Sequence, residues 1–116
     1  MLKLALIIFA VVAVVGLYMA MRILRDQWAP WVLSLLHAVF GATGIVLLLW
    51  AIFTQTSGIW LIWSAGLFVV AALGGFFLAS FHARKKLPPK AVVIIHAGVA
   101  VAAFVLLAMV VLAPQA

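Results

Sequence analysis

The sequence predicts an all-α membrane protein, an up-down bundle of four transmembrane helices built from two repeated helical hairpins. Three observations carry that reading. First, 72% of the 116 residues are apolar and only 7% are charged, whereas a soluble domain is nearer half apolar and a quarter charged. So short a chain cannot hide that much apolar surface in a water-soluble core, because small domains leave much of their surface exposed. Second, the apolar residues fall into four long runs. Third, the second half of the chain echoes the first at a fixed offset.

The four runs cover about 2–24, 31–53, 59–81 and 91–113. Each exceeds the roughly 20 apolar residues that cross about 30 Å of hydrocarbon, with length to spare for tilt. The first run is too long, and lacks the small-residue cleavage site, for a removable signal peptide. It is followed by Arg25-Asp26-Gln27-Trp28-Ala29-Pro30. Pro30 sits where the second helix can begin, since proline is tolerated in a first turn. The second run stops at Thr54-Gln55-Thr56-Ser57-Gly58, a connection without charge. The third gives way to His82-Ala83-Arg84-Lys85-Lys86-Leu87-Pro88-Pro89-Lys90, and Pro89 opens the fourth. Such short connections imply antiparallel neighbours. The whole chain, 1–116, is expected to form one transmembrane domain.

A net charge of +6 would ordinarily suggest nucleic acid. Here the cations stand in two clusters between apolar runs, which is how membrane topology is encoded. Arg22, Arg25, Arg84, Lys85, Lys86 and Lys90 flank the first and third connections, and only Lys3 lies at the other end. The expected topology puts those connections in the cytoplasm and both termini outside, in a bacterial inner membrane. The lipid bilayer is then the partner, and nucleic acid is not. With no Cys, disulfides, thiolate zinc sites and iron–sulfur clusters are excluded.

A shift of 59 positions lays Pro30 on Pro89, His37 on His96 and Arg25 on Arg84. Phe9 falls on Phe68, Gly16 on Gly75, Ala20 on Ala79, and Val46-Leu47-Leu48 on Val105-Leu106-Leu107. Apolar chains match easily by chance, so the weight rests on the rare residues, which align without a gap. The implied units are 1–57 and 60–116, related by an axis along the membrane normal as in parallel repeats. Helices two and four then stand on one diagonal of the bundle.

Ionisable residues inside a span are rare, costly and usually functional. His37 and His96 each lie seven residues past a proline, roughly 10 Å inside the boundary at 1.5 Å per residue. Along each helix face, at i+4 and i+7, His37 is followed by Gly41 and Gly44, and His96 by Ala100 and Ala103. Small residues draw helices together or clear room for a flat ligand. Two facing imidazoles above such stripes suit one haem ligated on both sides, an arrangement without an open substrate position and fit for electron transfer. Arg22, Arg25 and Arg84 ring the nearby end, where they can pair with haem propionates. Ser34, one turn before His37, is placed to orient its imidazole. His82 has no counterpart, since position 23 is Ile, and reads as an interface residue. Gly74 and Gly75 read as residues that let the third helix pack closely.

The run Pro30, Leu36-His37-Ala38, Gly41, Gly44, Leu47-Leu48, with Lys86-Leu87-Pro88, His96-Ala97 and Leu106-Leu107, resembles small, poorly characterised bacterial four-helix membrane proteins. The His pair on the second and fourth helices resembles the haem-binding core of b-type membrane cytochromes. Those families usually hold two haems through four His, whereas this chain has two deep His and supports one. The resemblance implies haem b and an electron carrier rather than an enzyme with its own substrate, with quinone or a larger respiratory complex as redox partner, as a single chain or a homodimer. The competing expectation is a non-catalytic structural or assembly subunit of a membrane complex, its His serving as interhelical links. A proton-coupled exporter is disfavoured, because no carboxylate lies in any span.

Overall fold

The computed structural model describes residues 1–55 and 58–113. Thr56 and Ser57 of the uncharged connection, and positions 114–116 of the expected second repeat unit, lie outside the described residues. Four helices are present: α1 (Leu2–Leu24), α2 (Trp31–Thr54), α3 (Ile59–Ala83) and α4 (Lys90–Leu112). Each is long and apolar enough to cross a membrane. At 1.5 Å per residue they run about 35 Å, which exceeds the hydrocarbon thickness.

The helix ends differ from the sequence reading by one or two residues. α3 runs on to Ala83, so His82 stands in its last turn rather than in the connection. Pro30 and Pro89 are not in the first turns. Each is the N-cap, with extended backbone at φ −61°, ψ 134° and φ −60°, ψ 128°. Proline's locked φ suits that extended position too.

The first and third connections share one local design. α1 and α3 both close with a left-handed residue one past the cap, Asp26 and Lys85, each at φ 59°. Gln27 N–H donates to the Arg22 carbonyl and Asp26 N–H to Ile23; Lys86 N–H donates to Phe81 and Lys85 N–H to His82. This crossed pair of bonds satisfies carbonyls that a helix end otherwise leaves open. Glycine usually takes the left-handed position, and its absence hides both turns from a sequence search.

The helices pack as a square. α1 touches α2 and α4, α3 touches α2 and α4, and no backbone contact is made across either diagonal among the described residues. The particle measures 49 × 19 × 19 Å. Outward faces are strongly apolar: Phe53 is 82% exposed, Leu112 72% and Val14 70%. Contiguous apolar surface on this scale belongs against lipid rather than water. The main buried cluster is small and one-sided. Ala5, Phe9, Leu48, Leu61, Ala65, Phe68, Ala103 and Leu107 form it, all in the half of the bundle away from the basic connections. There the Phe9 and Phe68 rings stack across the α1–α3 diagonal at 3.7 Å and 6°. The Ser64 hydroxyl, fully buried, donates to the Ala103 carbonyl at 2.8 Å.

Candidate functional site: a histidine pair on one diagonal

The other diagonal is bridged by histidine. His37 on α2 and His96 on α4 meet edge to face, with ring centroids 6.3 Å apart and planes at 70°. Neither helix touches the other by backbone, so the imidazoles alone span the bundle interior at this level. The stacked phenylalanines lie about two turns deeper along the axis, as the seven residues from Phe9 to Gly16 imply.

A glycine of the preceding helix backs each ring. A Cβ added at Gly16 would fall 2.7 Å from the His37 Cε1, inside any tolerable contact. A Cβ added at Gly75 would fall 3.2 Å from the His96 Cε1. The offset comparison pairs these two glycines, and the sequence reading also marks Gly75, with Gly74, for close packing of the third helix. Close approach is indeed what Gly75 permits, but of an imidazole rather than of a helix backbone.

His37 Nδ1 bonds to the Val12 carbonyl at 3.0 Å. A carbonyl only accepts, so Nδ1 carries the proton and the neutral ring keeps its lone pair at Nε2. This is the anchoring that metal-ligating histidines use, with one nitrogen tied to a backbone carbonyl and the other free. Ser34 does not take that role. Its hydroxyl turns to the Met19 sulfur at 3.5 Å, and the orienting group comes from α1 instead. The Ala71 backbone is close to the His96 ring, yet the buried His96 Nδ1 makes no hydrogen bond of normal geometry. Among the described residues it is the only buried side-chain nitrogen or oxygen without a partner, and such a group costs free energy until something satisfies it.

Do these residues fit a haem? The separation of the two rings is compatible with one. Two imidazoles on opposite sides of one metal, with bonds of about 2 Å and ring centres about 1 Å behind the donor atoms, put those centres about 6 Å apart. The small-residue stripe offers no such room. The space beside Gly44 is filled by the Phe9 ring, 2.8 Å from where a Cβ would stand, and Val12 lies beside Gly41 at 3.9 Å. Ala103 is wholly buried and tied to Ser64, and Ala100 is half-buried on the same face. Gly44 and Ala103 therefore belong to the apolar core. Small side chains mark close packing as readily as they mark a cavity, and only their neighbours decide which.

The basic rim is assembled as the sequence suggests, but with its own contacts. The Arg22 Nε donates to the Trp28 carbonyl at 2.8 Å. The Arg84 Nε donates to the Ser80 carbonyl at 3.1 Å, and its guanidinium lies over the Phe81 ring at 4.6 Å. Arg25 is exposed. Lys90 pairs with Asp26 at 3.1 Å, which joins the first connection to the start of α4. An exposed pair of this kind adds little stability; it records that both basic connections share one end. His82 stacks on Trp31 at 4.1 Å and 14°, with Trp28 tilted against it at 5.0 Å. No family model matches the chain, and no curated protein or solved structure was found to match it.

Proposed function

We propose that this chain is a multi-pass inner-membrane cytochrome of b type, holding one haem b between α2 and α4 near the basic end. The observation that carries the reading is the spacing of His37 and His96 across the diagonal, with His37 held by the Val12 carbonyl so that its Nε2 is free. His37 and His96 would hold its iron. Arg22, Arg25 and Arg84 would meet the propionates, for which Arg22 and Arg84 must exchange their present backbone contacts. Bound there, the haem would supply one-electron transfer. Gly16 and Gly75 admit the imidazoles to the interior, and the Phe9–Phe68 stack closes the site toward the far side. Quinone or a larger respiratory complex is the proposed electron partner.

The reading includes a two-hairpin repeat. Its supports are the paired turns at Asp26 and Lys85, the paired N-caps, the paired phenylalanines and the paired glycine–histidine contacts. It also places the basic connections in the cytoplasm and both termini outside. A C-terminal alkaline phosphatase fusion should be active; a fluorescent C-terminal fusion that folds in the cytoplasm reverses the orientation.

A second reading has its own observation. The His37–Val12 bond is itself an interhelical link, which suits a structural or assembly subunit. The reduced-minus-oxidised spectrum of the purified protein separates the two. Sharp α and Soret bands at one haem per chain support the cytochrome. A colourless protein of normal stability supports the link.

A further inference from the structure

At the basic end, where the start of α2 meets the end of α3, Trp28, Trp31, His82 and Lys85 line an open cleft. We infer that this cleft binds the phosphate of an anionic phospholipid, a property independent of whether the His37–His96 pair holds haem.

The cleft gathers more donors than acceptors, since only the His82 ring offers an acceptor nitrogen. Its polar groups are two indole N–H groups, an imidazole and an ammonium, and none of them bonds to another described side chain or backbone group. The chain contains a single acidic residue, and that one, Asp26, is engaged by Lys90. No acidic side chain of this protein therefore remains to answer Lys85, which leaves its ammonium available to an anion from outside. A cationic headgroup is the wrong partner. Aromatic faces do attract cations, but His82 already covers the Trp31 face, and the Lys85 ammonium repels a second positive charge.

Position decides the kind of anion. Tryptophan is enriched at the headgroup level of a bilayer, and in the orientation proposed above this end meets the cytoplasmic leaflet, where anionic lipid concentrates. Further along α2, Leu35 lies one turn past Trp31 on the same face, and Leu35 and its neighbour Val32 are exposed at 59% and 68%. They offer an apolar face for the acyl chains of a lipid whose phosphate sits above. Free phosphate would gain the donors but nothing from that face.

The test uses the full chain in detergent, with native mass spectrometry to count and titrate bound phosphatidylglycerol, phosphatidylcholine and inorganic phosphate separately. One phosphatidylglycerol should bind about tenfold more tightly than phosphatidylcholine. Lys85→Gln should weaken it about tenfold, the weight of one charge-assisted hydrogen bond, and Lys85→Arg should restore it. Lys86→Gln, next to Lys85 but outside the cleft, should leave it within about twofold. His82→Gln gives a second variant, expected to lose binding severalfold with an unchanged helical spectrum. Equal losses for Lys85→Gln and Lys86→Gln would overturn the site in favour of diffuse attraction by the basic rim. Inorganic phosphate binding as tightly as the lipid would overturn the lipid assignment.

Discussion

The two halves of the bundle solve the same problem with different chemistry. In the half away from the basic connections, the α1–α3 diagonal is closed by Phe9 on Phe68, and Leu48, Leu107 and Ala103 are wholly buried around it. In the basic half, the α2–α4 diagonal is closed by two histidines, each lying in the notch of a glycine. The first diagonal is apolar and complete. The second carries a free Nε2 on one ring and an orphaned Nδ1 on the other. Where lipid removes the hydrophobic drive between helices, packing and interhelical polar contacts do the joining. The far half does this mainly by fit, with one interhelical bond from Ser64 to the Ala103 carbonyl, while the basic half places two imidazoles between its helices, one of them bonded to the Val12 carbonyl.

Breaking the polar diagonal should have the largest effect. On the proposed haem reading, His37→Ala and His96→Ala should each abolish six-coordinate low-spin haem, read from the Soret and α bands, because each ring would supply one ligand to the iron. A five-coordinate form that binds carbon monoxide is the expected residue of either single change, and the double variant should bind none. His82→Ala should keep the low-spin spectrum, since His82 packs on Trp31 at the rim. If His82→Ala removes that spectrum while one deep variant retains it, the ligand pair is misassigned.

The glycine notches sharpen the comparison next. Gly16→Ala would put a methyl group 2.7 Å from a ring anchored on Val12, against 3.2 Å for Gly75→Ala. Haem content should fall in both variants and further in Gly16→Ala. The reverse order would mean that the rings are not held as described.

In the far half the same kind of substitution should register as stability rather than colour. A Cβ at Gly44 meets the Phe9 ring at 2.8 Å, so Gly44→Ala must disturb the phenylalanine stack. Overpacking of this sort costs about 1–3 kcal/mol, measurable as a lower thermal midpoint in detergent at constant haem per folded chain. Haem loss without a shifted midpoint would return Gly44 to the haem pocket. The smallest effect belongs to Ser64→Ala, which removes one interhelical hydrogen bond, worth about 0.6 kcal/mol in membrane helices. The spectrum should not change.

Much of this protein was readable from its sequence for a plain reason. Hydrophobic length and the placement of charge are one-dimensional properties, and the bilayer responds to them directly. The order of apolar and charged residues therefore determined four helices long enough to span, their connections to within two residues, and the clustering of six cations at one end. The matched level of His37 and His96 along the bundle axis was equally legible, because helical rise converts residue count into distance. Tertiary structure decided everything that depends on which faces meet. It brought the two histidines to 6.3 Å and gave the orienting contact to the Val12 carbonyl rather than to Ser34. It filled the Gly44 notch with Phe9, and it set His82 among tryptophans. A helix rich in apolar residues all round carries almost no signal of which stripe faces inward, so its rotation about its own axis is settled only by the neighbours it packs against.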